Sequence, residues 1–460
     1  MSEALAQAMC ERFQGAGHRA VVAGGWVRDR LLDRPSGDLD IATSARPEQV
    51  MALFERVYPT GLQHGTVTVV IDEAPVEVTT FRHESSYTDQ RRPDSVRFVT
   101  ELEEDLKRRD FTVNAIAWDP VTGEYVDPFD GMADLQTQTL RCVGRADERF
   151  AEDALRLLRA VRFAATHYLM PAPGLEEAMR AQAAGLRQVA WERIERELSL
   201  LLERAQQPSV GLKLALRTSL LEHALPELLP LVGQAQNQFH AYDCWDHTLA
   251  CVDAVPAGMT DIRWAALLHD LGKPPSAEPH PERAGEFRFF GHEQISVELA
   301  EQVAARLRFS KARREAVRAL VATHMLHPSP EWGDAAIRRL LRKVGTDRLE
   351  AFLALKRADI TAKGTPDVPQ LIEGVVEIEQ RLRAELARGA VLARKDLAVD
   401  GTALCQALGR APGPWLGPVL SALLDWVLED PDRNTLERLL ERAQELASAE
   451  IKAPSSGGAG

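Results

Sequence analysis

Two aspartates, Asp38 and Asp40, flank a single leucine in the stretch VVAGGWVRDRLLDRPSGDLDIATSA, Val21 to Ala45. Residues two apart on a β-strand face the same way. Two carboxylates that close repel unless a cation lies between them. Mg2+ suits the position, because a hard ion takes carboxylate and phosphate oxygens together. Just before the pair, Gly24 and Gly25 offer bare backbone N–H groups and a helix start, both suited to phosphate. Arg28 adds a permanent forked cation for the same anion. Glu77, in VEVTTFR, is expected on a neighbouring strand, where it would complete a two-metal phosphoryl-transfer site as third ligand or proton acceptor. A lone Asp-x-Asp is more often a polar strand edge. The glycines and Arg28 ahead of it favour the metal.

A second pattern lies in EDALRLLRAVRFA. Read as one helix, it puts Asp153 and Arg156 on a common face, with Arg159 and Arg162 on a drifting flank. A carboxylate only accepts hydrogen bonds and a guanidinium only donates. The pair therefore fits a base edge with an amino group beside a ring acceptor, as in cytosine and adenine, and opposes the reversed polarity of guanine and uracil. The plain alternative is a surface i,i+3 salt bridge. A third pattern is a scatter of imidazoles and carboxylates: His247, the adjacent His269 and Asp270, His292, His324 and Asp359, with Lys273 close by. Such donors suit a divalent transition metal that activates water against phosphate. A single buried histidine is usually an ordinary core residue, but the His-Asp couple after an apolar run argues for metal.

The elements that must carry these groups differ along the chain. Through about residue 140, AVVAGG, GTVTVVI and PVEVTTFR read as strands, with helices such as RPEQVMALFERV between them. From Glu148 onward the pattern is almost wholly helical. At 460 residues the chain is too long for one core. We expect an α/β head over 1–140, a helical neck over 141–232, a metal-bearing domain over 233–365, a helical tail over 366–452 and a disordered end over 453–460. Five scattered cysteines, without CxxC spacing, argue against disulfides and for a reducing cytoplasm. No apolar run nears the ~20 residues a membrane span needs, so no membrane partner is expected. The net charge of −13 speaks against a polyanionic partner. Local basic clusters at Arg91–Pro93 and Lys107–Asp110 and along Arg156, Arg159 and Arg162 speak the other way.

The chain resembles the class II tRNA nucleotidyltransferases, or CCA-adding enzymes, and their bacterial poly(A) polymerase relatives within the polymerase-β-like group. The segments that carry the resemblance fall in order: GGWVRD, GDLDIATSA, PTGLQHGTVTVV, EVTTFR, YTDQRRPDSVRFVTELEEDLKRRDFTVNAIAWD, VDPFDGMADLQTQTLRCVG, RFAEDALRLLRAVRFAA and WERIERELSLLL. The resemblance implies a polymerase-β-like α/β head followed by an extended all-α body of neck, HD domain and tail. It also implies untemplated transfer from CTP and ATP to a tRNA 3′-hydroxyl, with Asp38 and Asp40 holding Mg2+. Gly24, Gly25, Arg28, Arg109, Asp110, Asn114, Asp153, Arg156, Arg159 and Arg162 would bind nucleotide. YDCWDHTLACV, RWAALLHDLGKP, FFGHEQIS, ATHMLHP and ALKRADITAKG resemble the HD phosphohydrolase superfamily. By that resemblance His247, His269, Asp270 and Asp359 hold a metal such as Mn2+, Ni2+ or Fe2+, and His292 and His324 serve a second.

Other readings remain open at this level. SSYTDQRRP resembles the loop needed for the final adenosine, which favours full CCA addition or A-addition beside a separate CC-adding partner. A poly(A) polymerase is disfavoured by the acidic stretch 400–460, since those enzymes usually end in a basic tail. An HD phosphohydrolase with a non-catalytic RNA-binding head is disfavoured by the intact head motifs. Monomer and homodimer are both compatible with the sequence.

Overall fold

The structure is a computed structural model that describes residues 3–35, 39–85 and 95–452. Asp38, most of the SSYTDQRRP segment and the expected disordered end lie outside the described residues. The chain divides into two compact units: residues 1–232 with 256–264 and 302–310, and residues 233–255 with 265–301 and 311–460.

The first unit opens with helix α1 (Glu3–Gly15), strand β1 (Ala20–Ala23), helix α2 (Gly25–Leu31) and strand β2 (Asp40–Thr43). Helix α3 (Pro47–Leu53) leads to β3 (Val57–Gly61), β4 (Thr66–Ile71) and β5 (Ala74–Thr80). A separate hairpin, β6 (Arg82–Ser85) and β7 (Ser95–Phe98), precedes α4 (Leu102–Lys107), and β8 (Ala117–Trp118) and β9 (Tyr125–Val126) follow. Seven strands form one sheet in the order β3-β4-β5-β2-β1-β8-β9. Only β2 and β5 run parallel, and their register sets Asp40 opposite Glu77. Every residue of the central β1 is buried. In β5, Val76 and Val78 are buried while Glu77 between them is exposed, the alternation of a sheet with one covered face.

The helical neck begins with α5 (Gly131–Gln136), α6 (Ala146–Glu152) and α7 (Leu155–His167). Ten of the thirteen residues of α7 are buried, including Arg156 and Arg162. It packs against α9 (Trp191–Arg204) and α10 (Pro208–Arg217), and α8 (Leu175–Gln182) lies against α6. The run after Glu148 is less uniformly helical than the sequence suggests. Strand β10 (Thr139–Leu140) pairs in parallel with β11 (Met170–Pro171), and β12 (Ala277–Pro279) forms a hairpin with β13 (Phe287–Phe289). Pieces of two or three residues carry no period long enough to read from sequence.

In the second unit, α12 (Cys244–Ala254) packs on α17 (Leu349–Thr361), and α17 on α18 (Val368–Ala387). Between them in sequence come α13 (Thr260–Leu268), α14 (His292–Arg306), α15 (Lys311–Thr323) and α16 (Asp334–Val344). A separate apolar core gathers Leu404 of α19 (Gly401–Leu408), Leu423 and Val427 of α20 (Leu416–Glu429), and Leu439 of α21 (Leu436–Lys452). Arg338 of α16 ties this core to the rest of the unit: it donates to the carbonyls of Leu428 and Glu429 at the end of α20 and pairs with Glu385 at 3.1 Å. Among the described residues, no helix is long and apolar enough to cross a membrane, and all five cysteines are free thiols.

Candidate active site and metal centre

The first unit contains a pocket of about 610 Å3 whose wall holds Gly24, Gly25, Arg28, Asp40, Arg109, Asp110, Asn114, Asp153, Arg156, Arg159 and Arg162. Of the nucleotide and Mg2+ residues expected from sequence, only Asp38 and Glu77 are missing from this lining: Asp38 falls outside the described residues, and Glu77 stands across the β2–β5 ladder from Asp40. His64, Arg82, Arg108, Phe163 and Arg193 also line the pocket and were not singled out in the sequence. Eight arginines thus face one space. A polyphosphate is the anion such a wall fits.

The first turn of the wall depends on a missing side chain. Gly24 has φ +90°, and a Cβ there would stand 2.6 Å from Nη1 of Arg109. The bare backbone lets that guanidinium close over the start of α2, where it donates to the carbonyl of Asn114 at 3.3 Å. Arg28, nearly buried, donates through Nε and Nη2 to Asp29 at 2.9 and 2.8 Å, and through Nη1 to the Asn114 amide oxygen at 2.6 Å. Asn114 donates in turn to Asp110 at 3.0 Å, and Asp110 accepts from Arg159 at 2.6 Å. One hydrogen-bonded chain therefore joins α2 to α7. Burial alone would raise the Asp110 carboxyl, but Arg159 and the Asn114 amide outweigh it and hold its pKa below the usual range. Asp105, fully buried, accepts from Arg108 at 2.9 Å, from Arg109 at 3.4 Å and from the Arg82 backbone N–H at 3.2 Å. Glu197 of α9 takes Arg162 at 2.7 Å.

The expected helical pairing of Asp153 with Arg156 is not what the structure shows. Helix α6 ends at Glu152, and Asp153 takes an extended conformation at φ −142° and ψ 104° before α7 starts. Its carboxylate accepts from the Leu155 N–H at 3.0 Å and from Arg193 of α9 at 2.8 Å. Arg156 instead pairs with Glu152 at 2.5 Å and donates to the carbonyls of Arg149 and Arg108, each at 3.1 Å. Both residues still face the pocket. They arrive from either side of a helix break rather than from one helical face. Likewise, β2 begins at Asp40, so the strand assigned to both aspartates covers only the second in the described residues.

In the second unit the six metal-candidate residues converge. His247, His269 and Asp359 form one group and Asp270, His292 and His324 another, with donor atoms in each within 4.8 Å. Asp270 stands between the groups: Oδ2 lies 3.1 Å from His269 and 3.5 Å from His247, and Oδ1 lies 3.5 Å from His292 and 3.7 Å from His324. The sequence reading placed Asp270 with the first group alone; the geometry gives it an oxygen toward each. All four imidazoles are tethered by Nδ1 to a backbone carbonyl, those of Ala362, Ala266, Phe289 and Val321, at 2.7 to 3.1 Å. Those tethers fix the Nδ1–H tautomer and aim every Nε2 lone pair inward. Nε2 of His292 and of His324 then face each other at 3.2 Å. Nε2 of His247 and His269 are buried and make no hydrogen bond. Burial and the neighbouring His269 push His324 down to about 3, leaving the neutral form a metal requires. Burial acts to raise Asp270, but His269 and Lys273 outweigh it and hold the carboxyl well below the usual range. Lone pairs aimed at one another beside ionised carboxylates fit a cation, so this donor set suits divalent metal. Gly272 is part of the fit: a Cβ there would meet the His292 carbonyl at 2.1 Å.

Comparison with known proteins finds matches over both units. Residues 20–141 match the poly A polymerase head domain model, 169–231 the probable RNA and SrmB-binding site of polymerase A, and 240–364 the HD domain model. A CCA-adding enzyme of Bacillus cereus strain AH820 is 34% identical over 443 residues, 96% of this chain and 98% of the relative. The chain belongs to the CCA-adding enzyme family. The CCA-adding enzyme of Bacillus stearothermophilus, solved in complex with CTP, is 29% identical with a TM-score of 0.75, covering 98% of this chain and 100% of that one. The CCA-adding enzyme of Thermotoga maritima, solved with tRNA, shares the fold at TM-score 0.55 and 16% identity, over 97% of this chain and 95% of that one.

Within this family member the arginine wall has a structural cost that can be measured. Asp110→Asn removes the charge that Arg159 pairs with at 2.6 Å; with Arg159 a third exposed and Glu197 still 3.7 Å away, the loss should be about 1.5–3 kcal/mol. The native pKa of Asp110 is depressed. Its contribution is therefore complete above the unfolded carboxyl's value of about 3.9 and is lost as pH falls below it. Urea unfolding should show the variant destabilised at pH 7, and the gap between variant and wild type should narrow in acid.

Proposed function

We propose that this chain rebuilds the 3′-terminal CCA of tRNA from CTP and ATP, without a nucleic-acid template, in the arginine-walled pocket of its first unit. The observation that carries the reading is that pocket, in which Asp40 faces eight arginines, one of them Arg193 paired with Asp153, in a chain matched over nearly its whole length by CCA-adding enzymes. The same pocket in a partner-dependent A-adding enzyme would accept only tRNA ending in CC.

The reaction is attack of the tRNA 3′-hydroxyl oxygen on the α-phosphorus of CTP or ATP. The new O–P bond forms as the bond to pyrophosphate breaks. Bound Mg2+, which we assign to Asp38 and Asp40, would supply Lewis acidity at the phosphate oxygens and lower the pKa of the hydroxyl. Arg28 and Arg109 are assigned to the triphosphate, as permanent cations that need no proton to bind it. Glu77, in register with Asp40, is assigned as third ligand or as acceptor of the hydroxyl proton. Asp153 and Arg156 are assigned to the base edge. A carboxylate has about four lone-pair positions, so Asp153 can hold its bonds from Leu155 and Arg193 and still accept a base amino group. Arg193 then orients Asp153 rather than reading the base.

We assign the second site to hydrolysis of phosphate esters at RNA 3′ ends, which would expose a hydroxyl for the first site to extend. His247, His269 and Asp359 would hold one Mn2+, Ni2+ or Fe2+ ion and His292 and His324 another, with Asp270 between. Lys273, 2.6 Å from Asp270, is placed to meet the ester's phosphate. The boundaries we assign are head 1–140, neck 141–232, HD domain 233–365 and tail 366–452, in a cytoplasmic protein.

Incubation with tRNAs ending at the discriminator base, at C and at CC, with labelled CTP or ATP, separates the readings. Full CCA addition extends all three; extension of the CC end alone, by one A, identifies an A-adding enzyme, and a long A ladder a poly(A) polymerase. Asp40→Ala should abolish transfer and keep phosphate release, while Asp270→Ala should do the reverse; loss of both in either variant contradicts two independent sites. Metal titration followed by calorimetry should count two ions in the second site of the wild type. His324→Ala should lower that count by one, and Asp270→Ala should weaken both.

A further inference from the structure

Of the fourteen phenylalanines in the chain, two are exposed among the described residues: Phe239 at 58% and Phe290 at 70%. Both stand on the wall of one cavity of about 370 Å3, the one that opens onto Asp270, His292, His324 and Asp359. Met325, 40% exposed, completes an apolar mouth. Scattered surface apolar groups need no explanation, but a cluster around a built site does.

The backbone holds Phe290 in place. Gly291 takes φ +71°, and His292 begins α14 immediately after it, with its Nδ1 bonded to the Phe289 carbonyl at 2.7 Å. Phe290 is thus fixed two residues from a candidate metal ligand. Phe239 is held by its N–H, which donates to the Asn237 side-chain oxygen at 3.2 Å, beside His240, whose ring meets that of His247 edge-on at 5.0 Å. Deeper in the cavity the chemistry reverses. Lys273, paired with Asp270 at 2.6 Å, and Arg288 and Lys363 stand there beside the carboxylates of Asp270 and Asp359 and the imidazoles of His292 and His324, where a phosphate would meet both the basic groups and the metal ligands.

A ligand that fits both ends is anionic at one end and flat and apolar at the other. We propose that the mouth formed by Phe239, Phe290 and Met325 is a nucleobase platform, and that the second site takes the 3′-terminal nucleotide of RNA by stacking its base there while the phosphate enters among Arg288, Lys363 and the metal ligands. The proposal rests on the phosphohydrolase reading above and adds the part of the substrate that the metal does not touch. No hydrogen-bonding group needs to read the base, since every base has a stacking face. Purine and pyrimidine ends are therefore both accepted.

Calorimetry on the full chain in EDTA, where no hydrolysis occurs, tests this with adenosine 3′-monophosphate, uridine 3′-monophosphate and glycerol 2-phosphate, an ester without a base. Both nucleotides should bind about tenfold or more tighter than glycerol 2-phosphate, the scale of one stacked base. Phe290→Ala and Phe239→Ala should each erase much of that preference, and Phe290→Trp should keep it. The changes are confined to exposed side chains, and circular dichroism checks the fold. Equal binding of all three ligands overturns the platform, as does a preference intact in both alanine variants. Hydrolysis of the same esters by the Mn2+-loaded chain is scored separately. If none is cleaved while the preference holds, the phosphohydrolase reading fails and the platform stands; if all are cleaved without preference, the platform alone fails.

Discussion

Eight arginines can face one pocket only because the fold keeps buried carboxylates behind them. Like charges at this density repel, and guanidinium groups do not lose their protons to relieve it. Asp29 holds Arg28, Asp105 holds Arg108 and Arg109, Asp110 holds Arg159, and Glu197 holds Arg162. These acids are not spread over the surface. Asp105, Asp110 and Glu197 are each buried, so each would be costly if left unpaired. The acids fix where each guanidinium sits before a nucleotide arrives, and part of the ordering cost of binding is met by folding. The acids also explain how a chain of net charge −13 presents a strongly cationic cavity: charge is sorted by depth, not by total.

The second unit solves the converse problem. There the charges to be held are carboxylates, and their partners are imidazoles tied to the main chain by Nδ1 so that each Nε2 turns inward. Four backbone carbonyls set the tautomers, and Asp270 shares its two oxygens between two groups of donors. Lys356 shows how fully the surroundings are specified: its ammonium donates to the His324 carbonyl at 3.0 Å and lies 3.6 Å from Asp359. The two sites thus rest on opposite devices, permanent cations tied down by acids in one and imidazoles aimed by the main chain in the other.

Much of this was legible in the sequence, because ordered short motifs carry both residue type and local spacing. Alternation marks the segment of Glu77 as a strand, the chemistry of a two-metal site asks for a third acid near Asp40, and the β2–β5 register sets the two residues opposite each other. The histidines and aspartates of the second site could be grouped because their chemistry is rare and specific. What could not be read was any contact spanning a long sequence separation without a distinctive pattern. Arg193 lies forty residues from Asp153, inside a segment whose amphipathic period explains it as well as a site would. Arg82 and Asp105 are similar: each sits in a run that reads as ordinary strand or helix. The break at Asp153 was missed for a different reason. Alanine and leucine nearby favour helix, while the bonds that Asp153 accepts from Arg193 and from the Leu155 N–H accompany an extended residue that local propensity does not announce.

The break changes how base choice should be understood. On a continuous helix, Asp153 and Arg156 would move as one rigid face at a single spacing, with a polarity that suits C and A rather than G and U. Across a break, the two are set by different neighbours: Asp153 by Arg193 of α9, and Arg156 by Glu152 and the Arg108 carbonyl. Their spacing is then a property of packing between α6, α7, α9 and the Lys107–Asp110 turn rather than of helix geometry. Cytosine and adenine offer the same acceptor and donor at different distances from the sugar. A pair whose separation can follow its supports can serve both bases, and one locked at helical spacing would favour a single size. Under the base-reading role proposed for Asp153 and Arg156, the extended residue between the two helices would let one amino-acid template serve two nucleotides.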